Sequence, residues 1–187
     1  FTIVRDISEQ KHRESALKAS EARFASIFQN SPMAICLTRF QDGRLEDVND
    51  AFLDLFDYSR EELIGQQTTA LNMWFAPGER QQIINQLERD GRITNQELRF
   101  RCKSGAIGDG LVSTERIDLN GEQYMLSLIA DITEVKRVRA ELEREHVHFK
   151  ALIQTLPEAI WLKDMAGIYV ASNAALTQIT GLTEAEI

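Results

Sequence analysis

The chain has 187 residues, 43% of them apolar, and a formal net charge of −8 at neutral pH. This length suits one well-buried domain with extensions and is short for two full domains, while the acidic balance excludes the basic surface needed to bind a phosphate backbone. No apolar run approaches the roughly 20 residues that span a bilayer, so neither nucleic acid nor a membrane is an expected partner.

The first residues and the cysteines indicate where such a chain belongs. Residues 1–6 have neither an initiator Met nor a signal-peptide pattern, which predicts the interior of a longer chain. Cys36 and Cys102 lack the spacing of a metal knuckle and make no disulfide framework. They are predicted to be small buried apolar residues, and a cytoplasmic, reducing compartment is expected.

An internal repeat organises the sequence. Residues 3–17 match residues 128–142 at an offset of 125. After a deletion of one residue the match resumes, so that Asn49 aligns with Asn173. The repeat is therefore about 125 residues long, and only one copy is complete.

Local signals predict the elements in chain order. Ser8 and Thr133 each precede a Glu and a long charged stretch, as helix N-caps do. Pro32 ends the first helix, because the residue before proline is disfavoured in helical conformation. Residues 59–62 form a capping box that residues 183–186 repeat. The predicted elements are a helix over 9–31, strands over 33–38 and 44–48, helices over 49–56 and 77–90, strands over 93–102, 108–119 and 122–131, and a helix over 133–156.

This order of elements and four motifs resemble the PAS family. The motifs lie at residues 43–52, 58–65, 103–105 and 131–133. The resemblance implies an α+β fold in which a five-stranded antiparallel sheet, in the order 2-1-5-4-3, holds a pocket between one face and short helices. Long connecting helices are expected to flank this domain.

The resemblance also divides the chain into segments. The expected segments are the last strand of a preceding PAS-like repeat (1–8), a connecting helix (9–31), a complete PAS-like domain (32–132), a second connecting helix (133–156) and the N-terminal part of a following repeat (157–187).

Strand alternation, aligned with the family, separates the two faces of the sheet. The pocket-facing candidates are Cys36, Thr38, Leu98, Phe100, Cys102, Val112, Thr114, Met125, Ser127 and Ile129, with Phe52, Phe56 and Trp74 from outside the sheet. The outward-facing residues are Ile35, Leu37, Leu111, Tyr124, Leu126 and Leu128. Both sets are largely apolar, so the outer face needs a cover. Either the flanking helix or the same face of a second subunit is expected to provide it.

The predicted pocket contains no charged residue, so a ligand is expected to be small and mostly uncharged. The same side chains suit a filled core equally well. Haem is disfavoured because the helix over 77–90 has no His. A covalent flavin adduct is disfavoured because the residues after Gly65 lack the Asn-Cys-Arg-Phe motif of blue-light sensors. Trp74 leaves noncovalent flavin open beside a role as a core or lid residue.

No catalytic arrangement can be assembled from the sequence. His12, His146 and His148 fall on the connecting helices without the pattern of a kinase phosphoacceptor. Neither a Ser/His/Asp set nor a pair of carboxylates is indicated. The chain is therefore predicted to be non-enzymatic.

The second connecting helix carries apolar residues at alternating spacings of three and four, as a dimer seam would. The seam is Val135, Val138, Leu142, Glu145, Phe149, Leu152 and Leu156, and its main candidates for dimer contacts are Val138, Leu142 and Phe149. A parallel homodimer and a single amphipathic helix lying on its own sheet are both consistent with this pattern.

Two functions are consistent with these features. In the first, a sensory module binds a small ligand or a partner, and the strand ending at Asp131 transmits strain to the helix beginning at Thr133. In the second, a ligand-free module sets dimer geometry and spacing between neighbouring repeats. The resemblance implies an output domain outside these residues, either a histidine kinase or a cyclic-di-nucleotide enzyme of bacteria.

Overall fold

The computed structural model describes the backbone of residues 8–181 and the side chains of residues 14–181. The elements are α1 (Ser8–Gln29), β1 (Ala34–Arg39), β2 (Leu45–Val48), α2 (Asp50–Phe56), α3 (Arg60–Leu63), α4 (Glu79–Asp90), β3 (Arg92–Arg101), β4 (Ile107–Leu119), β5 (Glu122–Asp131), α5 (Thr133–Thr155), β6 (Trp161–Lys163), β7 (Tyr169–Ser172) and α6 (Ala174–Thr180). The chain divides into two compact units between Thr133 and Glu134. Within residues 8–181, no helix has both the length and the apolar character that a membrane crossing requires.

The first unit contains a five-stranded antiparallel sheet in the order β2-β1-β5-β4-β3, which confirms the predicted fold class. Its register places Cys36 of β1 opposite Ser127 of β5, and Ser127 opposite Thr114 of β4. These three residues therefore form one row across the middle of the sheet.

The core lies between one face of this sheet and the helices α2, α3 and α4. Phe52 and Phe56 stack with ring centroids 4.4 Å apart, and Phe56 meets Phe100 of β3 at 5.1 Å. Ile83 and Leu87 bury the inner side of α4. Helical spacing in α2 and α4 thus supplies one wall, and strand alternation supplies the other.

The start of α4 and the cap of α5 differ from the predictions. Helix α4 begins at Glu79 rather than Pro77, because Gly78 has φ +85° and serves as its N-cap. The Thr133 hydroxyl, predicted as an N-cap, instead accepts a hydrogen bond from the Asp109 amide of β4 at 2.8 Å. The Asp131 carboxylate accepts from the Thr133 amide at 2.8 Å and so caps the start of α5.

Three large apolar side chains of α1 are exposed to solvent. Leu17, Phe24 and Ile27 are 59%, 71% and 66% exposed, so this stripe does not cover the outer face of the sheet. A flanking helix and a second subunit were the two expected covers of that face. The described side chains of α1 do not provide the first of them.

Asn49 is fully buried at the junction of α1, β1, β2 and α2. Its Oδ1 accepts from the amides of Ile35 and Phe52 at 2.8 and 3.0 Å. Its Nδ2 donates to the carbonyls of Met33 and Phe28 at 2.9 and 3.1 Å. One side chain therefore joins the end of the incoming helix to the first strand and the first short helix.

The second unit repeats this arrangement around Asn173. Its Oδ1 accepts from the amides of Ile160 and Leu176 at 2.9 and 3.2 Å. Its Nδ2 donates to the carbonyls of Glu158 and Ile153 at 2.8 and 3.2 Å. These partners correspond to those of Asn49 at the spacing of the sequence repeat, so the repeat is visible in hydrogen bonding as well as in residue identity.

Two predicted features lie outside the described residues. They are the strand expected over 1–8, of which only the Ser8 backbone is described, and the capping box expected over 183–186.

Residues from about 157 onward are expected to exchange their amide hydrogens rapidly. β6 and β7 form a two-stranded sheet whose residues 161–171 are exposed, and an isolated hairpin is marginally stable in water. Hydrogen exchange followed by mass spectrometry, with β4 and β5 as the protected internal reference, measures this. Strong protection throughout 158–181 would show that a neighbour or a swapped partner completes the second unit.

Candidate ligand-binding site

A cavity of about 90 Å³ lies between the inner face of the sheet and the elements packed on it. The structure brings twelve of the predicted pocket residues to its lining, namely Cys36, Thr38, Phe52, Phe56, Trp74, Leu98, Phe100, Val112, Thr114, Met125, Ser127 and Ile129. Thr68, Met73, Ile83 and Arg99 complete the lining. Among these four, Ile83 had a sequence signal in the helical spacing of α4, whereas Thr68 and Met73 lie in an irregular segment without periodicity.

Cys102 was expected to face the pocket, and it does not line the cavity. The residue follows the end of β3, so strand alternation no longer determines its direction. Its thiol donates to the carbonyl of Leu55 at 3.2 Å. Burial, followed by the charges of Asp131 and Asp57, raises the pKa of this thiol.

The cavity floor carries a polar row on β1, β5 and β4. Thr114 Oγ1 and Ser127 Oγ lie 3.0 Å apart and share a hydrogen bond. Burial raises the pKa of the Cys36 thiol to about 12, although its hydrogen bond with Ser127 lowers it. Cys36 is therefore a neutral thiol at physiological pH, and the floor presents uncharged hydroxyl and thiol groups.

Trp74 is held in place beside the cavity. Its indole Nε1 donates to Thr68 Oγ1 at 3.1 Å, and its backbone forms an isolated bridge with Phe100 of β3. The indole therefore closes one side of the cavity as a fixed wall.

Arg99 is the charged residue of the lining, and its guanidinium packs on an aromatic ring. The guanidinium carbon lies 3.5 Å from the ring centroid of Phe75, a cation–π contact. Sequence alternation assigns Arg99 to the face opposite Leu98 and Phe100, so its contribution to the lining was missed. The described residues hold no cluster of His, Cys, Asp and Glu suited to a metal ion.

Close packing limits the cavity on the side of β4. A Cβ atom at Gly108 would lie 2.3 Å from Cζ of Phe100, and one at Gly110 would lie 3.2 Å from Ile129 and from Phe100. Both positions need glycine because the Phe100 ring occupies the adjacent space. The Phe100 ring therefore bounds the cavity on this side.

The end of β5 is bonded tightly to β4. The Ile132 amide donates to the Asp109 carbonyl at 2.9 Å, and the Asp109 amide donates to Thr133 Oγ1 at 2.8 Å. Ile132 and Thr133 therefore bond to the Asp109 backbone of β4, and the Asp131 carboxylate accepts from the amide of the first residue of α5. Met125, Ser127 and Ile129 line the cavity on the strand that ends here.

The predicted outer-face residues are half-buried in this chain, namely Ile35, Leu37, Leu111, Tyr124, Leu126 and Leu128. The apolar residues of the α5 seam are between 41% and 66% exposed. That range includes the dimer candidates Val138, Leu142 and Phe149. In one copy of the chain this seam therefore has no cover.

An antiparallel sheet in this order, with short helices enclosing a small apolar cavity, defines the sensory α+β class to which PAS domains belong. The family model described as "PAS domain" matches residues 32–134, more than half of the chain. The chain belongs to the PAS domain family.

Two solved PAS domains support the assignment. The PAS domain of an HTR-like protein from Haloarcula marismortui is 26% identical, with a TM-score of 0.57, and covers 65% of this chain and 99% of that domain. The PAS domain of a protein from Colwellia psychrerythraea is 29% identical, with a TM-score of 0.53, over 62% of this chain and 98% of that domain.

Curated relatives include two kinases. Sporulation kinase E of Bacillus subtilis (strain 168) is 25% identical over 100% of this chain. Sensor histidine kinase TmoS of Ectopseudomonas mendocina is 30% identical over 69% of this chain. The chain spans 25% and 14% of the lengths of these two relatives. A signal-input role is therefore supported for a domain of this family.

Proposed function

We propose that residues 32–132 are a sensory input module that binds a small uncharged molecule and passes the signal through α5 to an output domain elsewhere in a longer protein. The observation that carries the proposal is the position of β5. Its residues Met125, Ser127 and Ile129 line the cavity, and four residues after Ile129 the chain is already in α5. No flexible loop separates the ligand site from the helix.

The hydrogen bonds at Asp109 are the mechanical link of this proposal. A ligand that displaces β5 relative to β4 changes the geometry at Ile132 and Thr133, because both residues bond to the Asp109 backbone. The first turn of α5 then follows β5. The names of sporulation kinase E and sensor histidine kinase TmoS favour a histidine kinase over a cyclic-di-nucleotide enzyme as the output.

A tandem arrangement and a homodimer belong to the same proposal. The matching bonds of Asn49 and Asn173 support residues 157–187 as the start of a following PAS-like repeat. The exposed α5 seam supports a parallel pairing of two copies, because solvent-exposed apolar residues at this spacing are buried when the same helix of a second copy meets them. The outer face of the sheet, half-buried here, is the second surface that such a dimer would cover.

The second candidate function is a ligand-free spacer that sets dimer geometry. The small cavity favours it, since about 90 Å³ lies below the roughly 300–1,000 Å³ of sites for drug-sized ligands. For the same reason a flavin or a haem would have to displace lining side chains. Native mass spectrometry and absorbance of the purified chain separate the two candidates, because a retained small molecule supports the sensory module.

Insertions in α5 test the relay. The helix runs unbroken from Thr133 to Thr155, so inserting one residue after Glu143 rotates everything downstream by about 100°, while seven residues restore the phase. In the full-length protein we expect the single insertion to disrupt regulation of the output and the seven-residue insertion to preserve most of it. If both insertions leave regulation intact, α5 is a passive tether and the relay is refuted.

A further inference from the structure

The cavity contains one hydroxyl whose hydrogen-bonding capacity is unused. Thr38 lines the cavity on β1 and is only 3% exposed. Its Oγ1 is buried and has no hydrogen-bond partner among the described residues. An unpaired buried hydroxyl destabilises a fold, because folding removes its hydrogen bonds to water without replacing them.

The neighbouring hydroxyls on the cavity floor, in contrast, have hydrogen-bond partners. Thr114 and Ser127 bond to each other, and Ser127 also bonds to Cys36. The Trp74 indole bonds to Thr68. Among the described hydroxyls of the lining, Thr38 is therefore the one that offers a guest molecule both its donor and its acceptor without competition from a partner in the protein.

We infer that the cavity takes a short aliphatic alcohol or ketone, and that its oxygen bonds to Thr38. This inference rests on the proposed ligand-binding function. About 90 Å³ is smaller than the roughly 150 Å³ of an engineered apolar cavity that binds benzene, which limits the guest to a few non-hydrogen atoms. Apart from Arg99, whose guanidinium packs on the Phe75 ring, the remaining lining is apolar or carries polar groups that already have a partner. The guest therefore carries one polar oxygen and a hydrocarbon portion. The floor around Thr38 is uncharged and the Arg99 guanidinium packs on the Phe75 ring, so an uncharged guest is expected.

The stability of the ligand-free protein provides the first test. Thr38→Val removes the unpaired hydroxyl and keeps the side-chain shape, so its melting temperature is expected to equal or exceed that of the wild type. Thr114→Val is the matched control, since it removes a hydroxyl that is bonded to Ser127 at 3.0 Å, and it is expected to lower the melting temperature. A fall for Thr38→Val as large as that for Thr114→Val means that Thr38 has a partner within the protein and overturns the inference.

Binding of propan-2-ol and acetone provides the second test, followed by NMR titration of the signals of residues 125–129. Thr38→Val should weaken binding of both probes by about 3- to 10-fold, and Thr38→Ser should retain it, because a neutral hydrogen bond contributes on the order of one factor of ten at most. A greater loss for propan-2-ol would identify the alcohol as the guest class, and a greater loss for acetone the ketone.

Xenon distinguishes failure of the inference from failure of the proposed function. It fills apolar cavities without hydrogen bonding. Suppose that xenon shifts the NMR signals of the lining, and that Thr38→Val binds propan-2-ol and acetone as tightly as the wild type. The cavity then accepts guests but Thr38 does not anchor them, and only this inference is refuted. If neither xenon nor either probe affects the lining, the interior is a filled core and the ligand-binding function fails as well.

Discussion

Replacing Asn49 with alanine is expected to lower the free energy of unfolding of the first unit by about 3 kcal/mol, a fall in melting temperature on the order of 10–20 °C. The amide side chain is fully buried and bonds to both strand and helix backbone. Alanine leaves the Ile35 amide and the Met33 carbonyl without these partners. Each such buried group costs about 1–3 kcal/mol when its partner is removed.

Thermal unfolding followed by circular dichroism measures this effect, and two variants act as controls. Asn49→Asp keeps an acceptor for the Ile35 and Phe52 amides and loses the Nδ2 donor, so its loss should be distinct from that of Asn49→Ala. Asn173→Ala removes the equivalent side chain from the second unit and should leave unfolding of the first unit unchanged. A melting temperature for Asn49→Ala within a few degrees of the wild type would mean that water replaces the side chain, and that the incoming helix is not tied to the domain through Asn49.

Overfilling the cavity is expected to have the second-largest effect. Ser127→Trp and Thr114→Trp should each lower the free energy of unfolding by about 1–3 kcal/mol or more, because an indole exceeds the space available and forces side chains from their preferred rotamers. Thr114 is 3% exposed, and the adjoining cavity holds only about 90 Å³.

Glu115→Trp is the matched control for this prediction. Glu115 follows Thr114 on β4, points to the opposite face and is exposed, so the same indole should change stability by about 0.5 kcal/mol or less. Chemical denaturation of the three variants gives the comparison. Unchanged stability for both Ser127→Trp and Thr114→Trp, with a loss for Glu115→Trp, would indicate that the two faces of the sheet have been assigned in reverse.

The domain has a hydrogen-bonded junction with a long helix at each end. At the first, Asn49 bonds to the Phe28 carbonyl of α1 and to the Met33 carbonyl that precedes β1. At the second, Asp109 bonds to the residues that join β5 to α5. The cavity is lined by β1, which takes part in the first junction, and by β4 and β5, which take part in the second.

The sequence by itself determined the main elements of the first unit and their order, since these depend on local chemistry. Turn residues, caps and alternation with a period of two are read from neighbours along the chain, and α5, predicted over 133–156, is observed over Thr133–Thr155. The offset of the repeat also identified Asn49 and Asn173 as equivalent, although their shared bonding could not be read from the sequence.

The tertiary structure alone decided what depends on the distance between elements. The volume of the cavity is a small difference between the space under the helices and the side chains that fill it, so residue types do not specify it. The Cys102 thiol bonds to the Leu55 carbonyl. Cys102 lies beyond the end of β3, where strand alternation no longer sets the direction of a side chain. The Thr133 hydroxyl bonds to Asp109 rather than capping its helix, and Thr38 is left unpaired. A hydroxyl can bond to any nearby partner, and only the packing of separate strands determines which partners are near.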